Sequence, residues 1–290
     1  MSSLPVIPGI RNRYPRVFRG VLELVLVLSL WVAYSLSRLF ADANMGPALA
    51  RARDLLHIER NLGIHWEMPL NRLFIDNEAI GLIGSYWYAT LHYIVTGAVL
   101  LWLYRLGRHS YVPARRALAV ATILGLGAYL LMPTAPPRFI QGYVDVLSLH
   151  AADGWWGADA SAPRGLGGLT NELAAFPSLH AGWALWVAIS VQRHARWHWL
   201  KGLAWAYAAG TAIVIVGTGN HWVIDVIVGW LVVVAGFLAA ETLPSPKDTV
   251  TDTREDTREG TPEDTHGDTA SDAPELLSAG PGRPAPAAAK

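Results

Sequence analysis

The sequence contains no cysteine, so disulfide bonds and thiolate chemistry are excluded. It also has few charged residues, 16% of 290, whereas 52% of the residues are hydrophobic and 13 are Trp. So little charge among so many apolar side chains is typical of a protein that crosses a membrane. The formal net charge is zero, and because the basic excess outside the acidic C-terminal segment is modest and spread over several loops, nucleic-acid binding is not expected.

Apolar runs predict an all-α, polytopic membrane helix bundle, since roughly 20 apolar residues cross a bilayer. The first run follows a basic segment and has no small-residue cleavage site near its end. We therefore predict an uncleaved helix rather than a signal peptide. The six expected transmembrane helices lie at 17–40, 79–104, 114–132, 177–194, 200–217 and 222–241.

Composition divides the chain into a basic N-terminus at 1–16, a transmembrane domain at 17–242 and an acidic tail at 243–290. The tail repeats Asp-Thr units in KDTVTDTREDTREGTPEDTHGDT and ends in Pro, Ala and Gly, which predicts disorder. Residues 244–290 hold ten acidic and five basic residues, so the rest of the chain is net basic by five charges. This excess is spread over several loops, where it bears on topology and lipid headgroups.

Basic clusters predict the orientation of the bundle, because Lys and Arg are enriched in cytoplasmic loops. Arginines precede the first predicted span, and further basic residues occupy the second and fourth connections, at 105–116 and 193–201. With six spans, these three clusters lie on one side, so both termini are expected in the cytoplasm. The connections expected to face outward are 41–78, 133–176 and 217–220.

The segment 46–71 mixes apolar residues with charges of both signs and predicts a helix that lies along the membrane interface. Two interpretations stay open for it. It is either a lid or shelf for lipid headgroups, or a connector that packs against the bundle.

Ionisable residues within or beside membrane spans are costly and are therefore candidates for function. His221 and Asp225 in GNHWVID are four residues apart, so on a helix they share one face. A carboxylate there can accept the N–H of one ring nitrogen and leave the other free to act as a nucleophile. The alternative is a polar pair that only stabilises the end of a helix.

His180 lies in FPSLH, where Pro177 and Ser178 predict the start of a helix. A helix N-terminus offers N–H groups and a positive dipole end to an anion such as phosphate. The alternative is a structural histidine.

Arg138 ends PTAPPR, where a rigid Pro pair precedes it, and its planar guanidinium suits two-point binding of phosphate oxygens. The alternative is an arginine that reaches toward the membrane interface. Arg164 in the same connection is a weaker candidate. We expect structural roles for His92, in a hydrogen bond to another helix, and for Glu23, in a local ion pair.

The motifs PTAPPRF, AAFPSLHAGWALW and GTGNHWVIDVIVGW, in this order, resemble those of the type 2 phosphatidic acid phosphatase superfamily, which is related to vanadium haloperoxidases. The resemblance covers residues 70–240. It implies that His221 attacks phosphorus to form a phosphohistidine, that Asp225 orients it, and that His180 protonates the departing oxygen. It also implies that no metal or cofactor takes part, and Arg138 and Ser178 are the expected phosphate-binding residues.

The sequence departs from the common phosphatase pattern at four positions, and in two of them a phosphate-binding cation is missing. The family's lysine, the proline after its arginine, the glycine of PSGH and its second arginine are replaced here by Leu131, Phe139, Leu179 and Ile215. PSLH and the absent second arginine are instead similar to the inositol phosphorylceramide synthase branch.

We therefore predict a multi-pass plasma-membrane phosphoric monoester hydrolase or phosphotransferase whose site faces away from the cytoplasm. Its predicted partners are a lipid phosphate and an alcohol acceptor such as inositol, and no residue indicates a protein partner. Two other classes stay open. One is a metal-dependent intramembrane hydrolase with His180, His221 and Asp225 as ligands; the other is a non-catalytic transporter or scaffold, although the sequence has no internal repeat of the kind transporters show.

Overall fold

The computed structural model of the chain describes residues 45–157, 160–163 and 172–243, together with the single positions 21, 25 and 29. The predicted basic N-terminus, most of the first predicted span with Glu23, Arg164 and the predicted tail beyond Leu243 lie outside the described residues.

Within that part of the chain, the structure is built from eight α-helices, so the all-α prediction is confirmed there. A short antiparallel pair of strands, β1 (Trp156–Gly157) and β2 (Ala160–Pro163), is the exception. The helices are α1 (Met45–Leu62), α2 (Glu67–Asp76), α3 (Glu78–Leu106), α4 (Arg108–Leu131), α5 (Val146–Leu149), α6 (Leu179–His194), α7 (His198–Gly217) and α8 (Val223–Glu241).

Four of these helices are candidate membrane spans by length and composition, namely α3, α4, α7 and α8. They match four of the six predicted spans. The predicted fourth span corresponds to α6, which has only 16 residues. At 1.5 Å per residue it is about 24 Å long, less than the roughly 30 Å of bilayer hydrocarbon. The expected total of six spans is therefore not confirmed.

Helix α6 lies inside the bundle, where it contacts α3, α4, α7 and α8. Its buried residues occupy every side of the helix, and Trp186 is fully buried with its indole N–H donating to the Ala114 carbonyl oxygen at 2.7 Å. A helix that is apolar on all sides is expected in such an enclosed position. The start of α6 thereby lies beside α4 and α8, where Leu179 packs against Gly125 and Ser178 against Gly229.

Helix α8 approaches α4 and α6 closely because glycines face them. A Cβ atom at Gly229 would overlap the Ser178 carbonyl oxygen, and one at Gly236 would lie 2.5 Å from the Ala117 carbonyl oxygen. Small residues at such positions let helix backbones come together in membrane bundles. The contact at Gly229 joins the start of α6 to the first turns of α8.

The predicted interfacial segment folds into two helices, α1 and α2, rather than one. Gly63 ends α1 with a φ of 69°, a left-handed conformation that glycine adopts without strain. One face of α1 is buried, and its residues follow helical spacing. They are Ala48, Ala52, Leu56 and Glu59. This segment is therefore packed against the bundle, as the connector interpretation requires.

Candidate active site

His221 lies in the short connection between α7 and α8, where Gly219 turns the backbone with a φ of 78°. Its ring is 3% exposed, and its Nδ1 atom is 2.9 Å from the carbonyl oxygen of Ala175. A carbonyl oxygen can only accept a hydrogen bond, so Nδ1 carries the proton. The Nε2 atom of neutral His221 therefore holds a lone pair, as a nucleophile requires.

The Asp225 carboxylate contacts the His221 ring and the backbone of Trp222. Its Oδ2 atom is 3.4 Å from His221 Nδ1 and accepts the backbone N–H of Trp222 at 2.7 Å. The expected pairing of the two side chains is present in the structure, but the Ala175 carbonyl is the nearer partner of Nδ1. Sequence reasoning missed Ala175, because every residue has a carbonyl group and none is marked by its side chain.

The electrostatic surroundings of His221 keep it neutral. Burial, with a smaller contribution from the charge of Arg138, lowers the pKa of His221 to about 3, against the opposing effect of the Ala175 hydrogen bond. An imidazole with such a pKa is unprotonated throughout the physiological range. The nucleophilic form therefore needs no separate base to remove a proton.

His180 lies in the first turn of α6, with its ring centroid 5.6 Å from that of His221. The two histidines are 41 positions apart in the sequence and meet only through the packing of α6 beside α8. Tyr88 stacks on the His180 ring at 4.4 Å, with an interplanar angle of 24°. The predicted nucleophile and the predicted acid are thus brought together.

A π-helical turn in α3, Trp87–Leu91, places two further rings at this site. Such turns are frequent at functional sites. Tyr88 belongs to the turn and His92 follows it, and the His92 ring lies 4.3 Å from His180. The expected bond from His92 to another helix is wrong, since its Nδ1 contacts the Tyr88 carbonyl of its own helix at 2.9 Å. Sequence reasoning missed Tyr88.

Arg138 reaches the same site from the 3-10 turn Pro137–Phe139. Its backbone N–H donates to the Gly219 carbonyl at 3.0 Å, and its guanidinium hydrogen-bonds to the Asn220 side-chain oxygen. The Nε atom lies 3.5 Å from Asp145 Oδ2, and the side chain is 10% exposed. Asn220 and Asp145 were not predicted, although Asn220 stands directly before His221.

Ser178 caps α6, since its Oγ accepts the Ala181 N–H at 3.3 Å, as expected for a serine at a helix start. Its own N–H donates to the Asp225 carbonyl at 2.9 Å, and the next N–H, of Leu179, donates to Tyr129 Oη at 3.4 Å. Three N–H groups at this helix start therefore already have partners. The phosphate contact expected of Ser178 stays a prediction.

Among the residues that the structure describes, no group of three or more His, Asp or Glu side chains is arranged to hold a metal ion. The set of His180, His221 and Asp225 considered from the sequence thus has no support as a ligand set. What the arrangement offers instead is a nitrogen lone pair on His221, a second imidazole beside it, and the Arg138 guanidinium, whose charge acts on His221. Such a set suits nucleophilic attack on an anionic centre.

Comparison with known protein families gives one match. The family model described as the PAP2 superfamily matches residues 53–239, which is more than half of the chain and includes His180, His221, Asp225 and Arg138. Neither the curated proteins nor the solved structures include a match to the chain.

Proposed function

Because the chain belongs to the PAP2 superfamily, we propose that it is an integral membrane lipid-phosphate phosphatase or phosphotransferase that works through a phosphohistidine at His221. The superfamily supports phosphatase or phosphotransferase activity, and the apolar helices support a membrane location. The observation that carries the proposal is the bond from His221 Nδ1 to Ala175, which leaves the lone pair on Nε2.

The reaction proceeds in two steps on this geometry. His221 Nε2 attacks phosphorus, and the bond from phosphorus to the leaving oxygen breaks. His180, which is protonated while the phosphate anion lies beside it, gives its proton to that oxygen. A hydroxyl compound then attacks phosphorus while neutral His180 takes its proton. The bond from phosphorus to nitrogen breaks, and both histidines return to their starting forms.

Arg138 supplies the charge that this chemistry needs, because negative charge on the phosphoryl oxygens must be balanced in the transition state. Its contacts with Asn220 and Asp145 hold the guanidinium beside the connection that carries His221. Ser178, at the start of α6, is the second proposed phosphate-binding residue. The missing family cations at Leu131 and Ile215 leave Arg138 as the main proposed phosphate ligand.

The hydroxyl compound that attacks phosphorus in the second step decides between hydrolysis and transfer. Water gives free phosphate, whereas an alcohol acceptor such as inositol gives a new phosphodiester or phosphomonoester. The PSLH motif and the absent second arginine favour transfer in the manner of the inositol phosphorylceramide synthase branch. We propose the phosphotransferase as the second candidate on that observation.

A substrate panel tests the proposal. Purified protein in detergent is given phosphatidic acid, prenyl phosphates and a phosphoinositide, each with and without inositol, and free phosphate, inositol phosphates and new lipids are followed. Phosphate release without an acceptor supports a phosphatase, and an inositol phosphate that forms only when inositol is added supports a transferase. If neither product forms from any lipid, both activities are rejected for the lipids tested.

The proposed orientation, with the site outside the cytoplasm of the plasma membrane, has its own test. Because the chain has no cysteine, single-cysteine variants carry one label each. Asp153 is exposed on the side of the bundle that holds the site, and His109 is exposed at the junction of α3 and α4. An impermeant thiol reagent on intact cells should label Asp153→Cys and not His109→Cys. The reverse pattern would invert the orientation.

A further inference from the structure

Three consecutive backbone N–H groups at the start of α8 each donate to a different carboxyl group. The first N–H groups of a helix have no partner within the helix and need one from elsewhere. Asp225, within α8 itself, accepts one of them, and α1 and α2 supply the other two acceptors. The bonds run from Trp222 to Asp225 Oδ2 at 2.7 Å, from Val223 to Glu67 Oε1 at 2.8 Å and from Ile224 to Glu59 Oε1 at 2.8 Å.

Both glutamates are fully buried. Glu59 and Glu67 are each 0% exposed, although glutamate is among the residues most rarely found in a protein interior. Two unpaired charges there would cost several kcal/mol each. Their burial therefore needs a compensating arrangement, and the α8 N–H groups satisfy only one oxygen of each carboxyl.

The second oxygen of each glutamate is buried and has no hydrogen-bond partner in the described part of the chain. The two carboxyl groups are close enough to hydrogen-bond, yet neither Glu59 Oε2 nor Glu67 Oε2 has a donor among the described residues. Two ionised carboxylates cannot bond to one another, because both only accept. A single proton between the two oxygens supplies the missing donor and removes one of the two charges.

We propose that Glu59 and Glu67 are positioning residues of the phosphoryl-transfer site, which share one proton and hold the start of α8 so that His221 stays aligned. The inference rests on the proposed function of that site. The α1 and α2 helices are thereby tied to the turn that follows the nucleophile. We call this pair, Glu59 and Glu67 with their bonds to the α8 N–H groups, the clamp. Loss of the clamp would let residues 221–225 move, and positioning errors of this kind lower the rate of the chemical step.

The charges around the pair favour one proton over none. Burial, and then the hydrogen bond and charge of Glu67, raise the pKa of Glu59 to about 9, and Asp225 acts in the same direction. Above that pH the shared proton is lost and no donor remains between the two carboxyl groups, so the hold on the start of α8 weakens. The other titratable groups near the pair are Asp225 on α8, His65, whose Nε2 is 3.9 Å from Glu67 Oε2, and Tyr143, whose hydroxyl is 2.9 Å from His65 Nε2. Arg60 on α1 is exposed, and its charge acts on Tyr143.

Two substitutions at Glu59 test the proposal through turnover. Glu59→Gln keeps the acceptor for Ile224 and donates its amide N–H to Glu67, so kcat should stay within about twofold of wild type, and the loss of activity at alkaline pH should disappear. Glu59→Ala removes the clamp and should lower kcat about tenfold or more with little change in KM. The exposed Glu78→Gln is the matched control and should leave the pH profile unchanged.

An infrared measurement tests the shared proton without turnover. Folded wild-type protein at neutral pH should show a carboxylic-acid C=O band that vanishes as the pH rises through about 9, and Glu59→Gln should lack it. The proposal is overturned if Glu59→Gln retains the carboxylic-acid band or still loses activity at alkaline pH as the wild type does. It is also overturned if folded Glu59→Ala turns over at the wild-type rate. If the wild-type protein is inactive on every lipid phosphate, the proposed function is rejected instead. The infrared band would then still show whether Glu59 and Glu67 share a proton.

Discussion

The carbonyl oxygen of Ala175 accepts the Nδ1 proton of His221 at 2.9 Å, from a segment that precedes the cap of α6. This bond joins the second sequence motif to the third and sets the tautomer of the ring. Asp225 Oδ2, at 3.4 Å from the same nitrogen, is the more distant partner. The histidine is therefore held by main chain as well as by side chain.

Replacing His221 by Ala should abolish turnover, because its Nε2 forms the bond to phosphorus in the proposed mechanism. We expect a loss of about 10³-fold or more, as for the removal of other nucleophiles. Wild-type protein quenched during turnover should contain a phosphoenzyme that survives base and is labile in acid, and the variant should not. The exposed His57→Ala is the control. A labelled phosphoenzyme in the His221 variant would move the covalent step elsewhere.

Asp225→Asn should lower kcat by about 10²-fold, less than the about 10⁴-fold seen when a triad aspartate alone sets the tautomer. The smaller loss is expected because the Ala175 carbonyl still accepts the Nδ1 proton, and the asparagine oxygen can still accept the Trp222 N–H. Steady-state kinetics of the purified variant measure this. A loss as large as that of His221→Ala would mean that the carbonyl does not hold the tautomer.

Arg138→Lys should lower kcat/KM about tenfold or more, although the charge is kept. Lysine presents a point charge and cannot reproduce the planar contacts that the guanidinium makes with Asn220 and Asp145. Arg138→Ala should cost about 10²-fold or more, as when one stabilising donor is removed from a site. Arg53→Lys, at an exposed position, is the control. Wild-type kinetics in Arg138→Lys would show that charge alone is sufficient.

The low pKa of His221 predicts the pH dependence of the first step. A histidine loses its nucleophilic form below its pKa, so with a value of about 3 the attack should be independent of pH from about 7 down to about 4. A nitrophenyl lipid phosphate isolates this step, because its leaving group needs no proton from His180. Rapid-quench measurement of phosphoenzyme formation gives the rate. A tenfold fall per pH unit below 6.5 would indicate an ordinary histidine.

Gly229→Ala should destabilise the bundle, because the added Cβ would overlap the Ser178 carbonyl oxygen at the start of α6. Overpacking of this kind costs about 1–3 kcal/mol. Gly97→Ala is the matched control, since a Cβ in that part of α3 meets nothing within 4 Å. Thermal unfolding in detergent should show a lower midpoint for Gly229→Ala alone. Equal midpoints would mean that α6 and α8 separate without cost.

Local chemistry made several elements predictable. Pro177 and Ser178 predicted a helix start, and α6 begins at Leu179 with Ser178 as its cap. The apolar runs predicted four of the long helices within a few residues. The predicted fourth span corresponds to the 16 residues of α6, and its apolar run has the same composition whether lipid or protein surrounds it. Only the contacts of α6 with four other helices distinguish the two cases.

The clamp formed by Glu59 and Glu67 lay beyond sequence reasoning for a different reason. Their segment carries charges of both signs, a pattern typical of a helix at the membrane interface. That pattern does not distinguish the two buried acids from the exposed ones. Glu59 meets Ile224 across 165 positions, and Glu67 meets Val223 across 156. The periodic spacing of residues within one helix cannot reveal such a pair, because it does not specify a partner on another helix.

By itself, then, the sequence determined the helical elements, the order of the three motifs and the histidines available for chemistry. These follow from the period of apolar residues, from capping, and from the cost of polar groups in a membrane, all of which act over a few neighbouring residues. The tertiary structure decided which nitrogen of His221 is free, which carboxyls hold α8 and which rings surround His180. Those contacts depend on backbone atoms and side chains brought together by helix packing from positions far apart in the chain.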